Sequence, residues 1–289
     1  MYRPLGWAAA AGAGLAAYAL LEPYRYRLVT HELPVRWDGP PLDVLHLADT
    51  HLSPRDTRLM SFLKELPDRL PKMPDLVVAT GDMIEGDAGI APLLESIAGI
   101  EARYGRFYVF GSHDYYVSSG PSYTKYFSSN KTMRRAVPTD WDRLEDGLRS
   151  KGWIALTNSE HTLEIGGATV RLAGVDDPYL KRHDTHHIHR ERADDLAIAL
   201  VHAPDVVSEW ILNGFDLVVA GHTHAGQVRA PFVGALVTNC SLPSALASGP
   251  SRVGAGWLHV SPGLGTGRYS PIRFLARPEA TLLRLLPAR

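Results

Sequence analysis

The chain has 289 residues, 45% of them hydrophobic and 21% charged, a balance that supports a packed core and excludes a disordered, collagen-like or polytopic membrane chain. Thirty Lys and Arg against thirty-one Asp and Glu leave a net charge of −1, so no global field draws the protein onto nucleic acid or an anionic membrane, any electrostatic partner must be read locally, and no nucleic-acid partner is expected. The single cysteine, Cys240, excludes an intramolecular disulfide and a thiolate metal cluster. Thirteen histidines are the figure that asks for explanation, because neutral imidazole is the commonest metal ligand.

In chain order, Leu5 to Leu21 is an uncharged, Ala-rich run. As a helix it would span about 26 Å, marginally short of the bilayer's apolar core. It fits a membrane anchor, a signal segment cleaved near Ala17-Tyr18-Ala19, or a helix docked on the globular body. Arg3 before the run against Arg25, Arg27 and Arg36 after it favours a membrane-associated protein with its body on the cytoplasmic face. Residues 1–36 are thus expected to form an N-terminal anchor or signal segment and linker, and residues 37–289 one domain.

Short apolar runs at Leu42 to Ala48, Leu76 to Thr80, Phe107 to Phe110, Ala197 to Val201 and Leu217 to Ala220 predict strands buried on both faces. Leu59, Phe62, Leu63 and Leu66 share a helical stripe that Pro67 should stop. Trp141, Leu144 and Leu148 mark a second helix ended by Gly152. Thr162 to Ile165, Gly166-Gly167 and Thr169 to Leu172 read as a hairpin. Tyr115 to Thr139, without an acidic residue, reads as a long loop. The fold class is α/β.

The polar residues fall where the strands end. Asp49 and His51 follow the first run, Gly81-Asp82 the second, Gly111-Ser112-His113-Asp114 the third, His202 the fourth and Gly221-His222-Thr223-His224 the fifth. In α/β sheets ligands bind outside the carboxyl ends of strands, so these segments should meet in one crevice. Carboxylate oxygen with imidazole nitrogen suits Mn, Fe or Zn. So many ligands exceed the needs of one ion, and two ions about 3.5 to 4 Å apart need a shared carboxylate such as Asp82.

These motifs resemble those of the calcineurin-like metallophosphoesterase family: Asp49-Thr50-His51, Gly81-Asp82, the isolated His202 and Gly221-His222-Thr223-His224. Ala173 to Asp177, His224 to Gln227, Gly263 to Gly267, Pro271 to Phe274 and Arg277-Pro278-Glu279 are similar to segments of its YkuE/YaeI-like branch. The resemblance implies a four-layer αββα sandwich, preceded here by the hydrophobic helix, with two metal ions at the sheet edge. Asp49, His51, Asp82 and His224 would hold one ion, and Asp82, His202 and His222 the other. His113 would be the general acid, oriented by Asp114. Ser112 stands where the family places an asparagine that binds the second metal, and a neutral serine hydroxyl is a shorter and poorer ligand.

The expected activity is metal-dependent hydrolysis of a phosphomonoester, phosphodiester or pyrophosphate, with a phosphorylated small molecule or lipid as substrate. A non-catalytic scaffold that keeps the fold is the alternative. Lys125, Lys131, Arg134 and Arg135 give the Tyr115 to Thr139 loop a local positive charge. Lys125, Arg134 and Arg135 are accordingly expected to meet substrate phosphate, and Tyr115, Tyr116, Tyr123, Tyr126 and Phe127 its apolar parts. His183, His186, His187 and His189 lie in a charged segment with no strand before it and read as a solvated loop.

Overall fold

The computed structural model describes residues 3–117, 137–186, 188–191, 194–208, 214–238 and 240–288, with side chains from residue 12 onward and at Ala10. Helix α1 (Arg3–Leu21) leads into strand β1 (Arg27–Val35) and then β2 (Leu42–Leu47). A β-α-β alternation follows through α2 (Thr57–Arg69), β3 (Leu76–Thr80), α3 (Ile90–Ser96) and β4 (Gly105–Val109). Next come the single turn α4 (Ser112–Tyr115), the paired short strands β5 (Tyr116–Val117) and β6 (Val137–Pro138), α5 (Trp141–Ser150) and β7 (Trp153–Ala155). The second half holds β8 (Ser159–Ile165), β9 (Ala168–Gly174), β10 (Leu196–Val201) and β11 (Leu217–Ala220). After the two-residue strands β12 (Arg229–Ala230) and β13 (Gly234–Ala235) come β14 (Gly249–Val253), β15 (Gly256–Val260) and β16 (Glu279–Pro287).

Two six-stranded mixed sheets result, ordered β1-β16-β2-β3-β4-β7 and β14-β15-β11-β10-β9-β8. Every residue of β2, β3, β10 and β11 is buried, which explains their continuous rather than alternating apolar pattern. Val44, Val78 and Phe107 of the first sheet pack on Leu172, Ile198, Leu200 and Val219 of the second. On the first sheet's outer face, Leu45, Val77 and Tyr108 meet Leu59, Phe62 and Leu63 of α2, Leu93 of α3, and Leu144 and Leu148 of α5. The outer face of the second sheet packs Ala199, Val218 and Leu258 with Ile188, Val206 and Phe215. Among the described residues its cover includes the 3-10 turn Pro204–Val206, the helical Val207 that follows it, and Ile188 and Phe215.

Several expectations need correction. The stretch expected as linker before residue 37 contains β1, which pairs in parallel with β16. Pro67 lies inside α2 instead of before its end. It forfeits one backbone bond in the last turn, and the Leu70 N–H closes the helix on the Pro67 carbonyl. A helix does form over Arg3–Leu21, but among the described residues none is long and apolar enough to cross a membrane, so a spanning anchor is not supported. Its last turn docks instead: the Tyr18 ring meets Phe274 edge to face at 5.3 Å, and the Arg273 N–H donates to the Ala19 carbonyl. The hairpin runs through Gly166 and Gly167, both at positive φ.

A polar seam crosses the otherwise apolar space between the sheets. His46 Nε2 lies 2.9 Å from Thr80 Oγ1, and His46 Nδ1 lies 2.9 Å from His259 Nδ1. Burial pushes His46 down to about 3, and burial with the neighbouring His46 and His31 pushes His259 well below the usual imidazole range. Both stay neutral in the fold while the unfolded chain protonates near pH 6.5. Stability from this pair is therefore full above pH 6.5 and lost as pH falls toward about 3. Thermal unfolding measured from pH 7.5 to 4 should show a steep loss of Tm, and His46→Gln should flatten that slope even where its Tm at pH 7.5 is lower.

Candidate metal centre

Each polar cluster leaves its strand on a backbone that side-chain-bearing residues rarely adopt. Asp49, His51, Asp82, His222 and His224 have φ values of 49°, 41°, 50°, 69° and 48°. Left-handed conformations of this kind cost roughly 1 kcal/mol or more per residue and concentrate at functional sites. Neighbouring strand ends hold them in place. The Asp49 N–H donates to the Gly81 carbonyl, His51 N–H to Asp82, and Gly221 N–H to His202. Two glycines of these motifs are needed for close approach: a Cβ at Gly111 would lie 2.4 Å from Asp82 Oδ1, and one at Gly221 would lie 2.5 Å from Asp49 Oδ2.

Asp82 Oδ1 accepts the His113 N–H at 2.8 Å, which turns Oδ2 toward His51 Nε2 at 3.6 Å and His202 Nε2 at 3.3 Å. His51 Nε2 lies 3.2 Å from His224 Nε2, which is 3.8 Å from Asp49 Oδ1. His222 Nδ1 lies 3.3 Å from His202 Nε2, and the His222 N–H donates to both Asp49 oxygens. Three overlapping groups emerge, Asp49-His51-His224, Asp49-Asp82-His202 and His51-Glu85-His113, each with ligand atoms within 4.8 Å of one another. Asp49, His51, Asp82 and His202 are buried, whereas His113, His222 and His224 form the partly open side.

The donor set and the atoms behind it fit divalent or transition metal ions. His202 Nδ1–H donates to the Thr80 carbonyl at 2.7 Å, and His51 Nδ1–H to Glu85 Oε2 at 3.1 Å. Each bond turns Nε2 toward Asp82, the outer support usual for metal-bound imidazoles, and against burial Asp82 raises His202 well above the imidazole range. Unneutralised, the charges conflict. Burial, opposed by His202 and reinforced by Asp82, raises Asp49 to about 6. Against burial, His202, His113 and His51 hold Asp82 well below the carboxylate range. Burial, His51 and Arg273 press His224 well below the imidazole range.

His113 Nδ1 faces Glu85 Oε2 at 3.4 Å. Burial opposes its protonation, yet Asp82 and Glu85 raise His113 to about 9. Asp114 does not reach the imidazole in the way its place after His113 suggests. Its Oδ1 accepts the Met83 and Ile84 N–H groups and its Oδ2 the Gly111 N–H, so it fixes the turns that carry Asp82 and His113. Ser112 is buried in the same turn.

Lys125, Arg134 and Arg135 lie outside the described residues, as do Lys131, Tyr123, Tyr126, Phe127 and His187. Tyr115 is not available to a substrate: it is buried, packs on Phe110 and Trp141, and donates to Asp176 Oδ1 at 2.9 Å. His186 and His189 are exposed, but His183 is half-buried and Ile188 packs into the outer cluster of the second sheet, so the segment is only in part the solvated loop expected.

Sequence reasoning missed two supports. Glu85 serves both His51 and His113, and its only signal was its place three residues after Asp82. Arg273 is fully buried, and its guanidinium donates to the Pro262, Gly263, Gly265 and Ala276 carbonyls and lies 3.2 Å from His224 Nδ1. It braces the loop whose Leu264 and Gly265 N–H groups donate to the Ala48 and Asp49 carbonyls.

A model of the calcineurin-like phosphoesterases matches residues 42–226, more than half of the chain. The chain belongs to the calcineurin-like phosphoesterase family. It is 28% identical to the uncharacterized metallophosphoesterase YkuE of Bacillus subtilis, over 95% of this chain and 91% of that protein. It is 26% identical to the phosphodiesterase YaeI of Escherichia coli, over 96% and 94%. The UDP-2,3-diacylglucosamine pyrophosphatase LpxG of Chlamydia trachomatis is 27% identical, over 85% and 84%. The matched region ends just past His224, so Arg273 lies outside it. Within this calcineurin-like site, Glu85→Ala should weaken Mn²⁺ binding about 10–100-fold, measured by calorimetric titration. An unchanged affinity would remove Glu85 as a support of His51.

Proposed function

We propose that the protein is a two-metal phosphoric ester hydrolase acting on a phosphomonoester, phosphodiester or pyrophosphate of a small molecule or lipid. The observation that carries this reading is Asp82 Oδ2, which faces His51 Nε2 on one side and His202 Nε2 on the other. One carboxylate can then serve two ions, with Asp49, His51 and His224 around the first and His202 and His222 around the second. Manganese, iron or zinc ions bound there would neutralise the phosphoryl group and acidify the attacking water.

The protein's own groups do the rest. The half-open side formed by His113, His222 and His224 admits the substrate, while Asp49, His51, Asp82 and His202 form the buried inner face. His113 holds a proton at neutral pH, and with Nδ1 directed at Glu85, Nε2 is free to give it to the leaving oxygen. Ser112 contributes at most a weak neutral donor to the second ion. Lys125, Arg134 and Arg135, which follow this turn in sequence, are proposed to meet substrate phosphate. A non-catalytic scaffold is disfavoured by five site residues in left-handed backbone, a cost without return where no ion is held.

The test is reconstitution of metal-depleted protein with Mn²⁺, Fe²⁺ or Zn²⁺ and assay against monoester, diester and pyrophosphate panels. Asp82→Ala should lower turnover at least about a hundredfold and reduce bound metal from two ions toward none by elemental analysis. Retention of two ions with normal turnover would remove the proposed bridge.

A further inference from the structure

Outside the metal centre the most unusual surface is the hairpin formed by β12 and β13. Phe232 at its tip is fully exposed, with φ of 67°, and Val233 and Leu236 beside it are 68% and 57% exposed. An aromatic ring held away from the body on a left-handed residue gains nothing from the fold, and exposed apolar clusters of this kind mark contact surfaces.

The hairpin does not stand alone. The Arg229 N–H donates to the Phe274 carbonyl and the Phe274 N–H to Gln227, which seats Ile272 to Leu275 alongside it. That segment in turn holds the end of α1 through Ala19 and Tyr18. Ile272, Leu275 and Leu20 are all exposed. Three neighbouring segments thus present aliphatic and aromatic side chains to solvent.

Charge decides what they meet. From Leu217 to Pro278 there is no aspartate or glutamate; of the five arginines there, Arg273 is buried behind His224 and Arg252 lies against Pro34 and Trp257, which leaves Arg229, Arg268 and Arg277 for this face. Arg268 is exposed and Arg229 and Arg277 half-buried, while Arg25, just past the 3-10 turn Glu22–Tyr24 that follows α1, is exposed. The one carboxylate among these segments, Glu22, is buried and accepts from the Tyr18 hydroxyl, so apolar tips flanked by arginine complement the acyl boundary and headgroups of an anionic bilayer. A flat protein partner would leave the protruding Phe232 without the depth that an acyl layer offers.

We infer that this face, led by the Phe232-Val233 tip, docks the protein on the surface of an anionic membrane without spanning it, and that the substrate is a phosphoester carried by a lipid. Only three residues separate His224 from Val228, where the backbone joins Phe274 beside the hairpin. Docking there brings the metal centre to the headgroup layer. The substrate class rests on the proposed hydrolase reading; the docking does not.

The experiment uses the full chain in vesicle sedimentation. Vesicles of phosphatidylcholine with phosphatidylglycerol should carry the protein into the pellet, pure phosphatidylcholine should carry at least about tenfold less, and 0.5 M salt should release much of it. A Phe232→Asp, Val233→Asp double variant should bind anionic vesicles at least about tenfold more weakly while keeping wild-type turnover of a small soluble chromogenic phosphoester. Asp82→Ala should bind vesicles as the wild type does, so failed docking and failed catalysis are read separately. Docking is overturned if the wild type stays in the supernatant, if the double variant binds unchanged, or if the tip instead mediates a concentration-dependent dimer that the double variant abolishes. The lipid substrate is overturned if docking holds while lipid phosphoesters in such vesicles are not hydrolysed by protein active on soluble ones.

Discussion

Asp82 can point one oxygen between two imidazoles only because its other oxygen is tied to the His113 N–H. That bond requires β3 and β4 to end side by side with their turns in contact, and the parallel register Thr80↔Val109 provides it. Gly111 is demanded at the same point, since any Cβ there would strike the carboxylate. Asp114 completes the arrangement by joining Gly111 to the Met83 and Ile84 amides. The motif residues are therefore as much about holding one carboxylate as about supplying ligands, and a cation would add charge balance to a geometry that the backbone already fixes.

The cost of that geometry is spread over both sheets. His202 comes from the second sheet but spends its Nδ1 proton on Thr80 of the first. Thr80 also contacts His46, and His46 contacts His259 of the second sheet. These bonds cross an interior that is otherwise apolar, where an unsatisfied polar group would cost about 1–3 kcal/mol. They fix how the two sheets sit relative to each other at the end where their ligands must meet. Apolar packing alone would tolerate small slides that separate His202 from Asp82.

The buried strands and the clusters at their ends were readable because the two signals coincide: a continuous apolar run, then Asp, His or Gly at its end. The hairpin at Gly166-Gly167 and the stripes of α2 and α5 were readable for the same reason of local pattern. What escaped depends on pairing between distant segments. β1 looks like a polar linker because seven of its nine residues are exposed or half-buried, and only its partner β16, some 250 residues later, makes it a strand. Tyr115 looked like a loop aromatic until Phe110, Trp141 and Asp176 closed around it. Glu85 and Arg273 carry no periodicity at all; their roles exist only once His51, His113 and His224 have been brought to them.

Arg273 shows how far the site depends on the end of the chain. Along Ile272 to Ala276 the side chains alternate between outside and inside, with Ile272 and Leu275 exposed and Arg273 and Ala276 buried. The inward guanidinium holds the 262–265 carbonyls and touches His224, and the loop it holds donates to Asp49 and Ala48. Burial lowers Arg273 only to about 10, so it keeps its charge at neutral pH and cannot relax by losing a proton. Its four carbonyl acceptors must stay in place to solvate that charge. A five-residue segment therefore cannot shift at the surface without moving the brace behind the metal ligands, and the exposed face that contains Ile272 and Leu275 is mechanically continuous with the chemistry behind it.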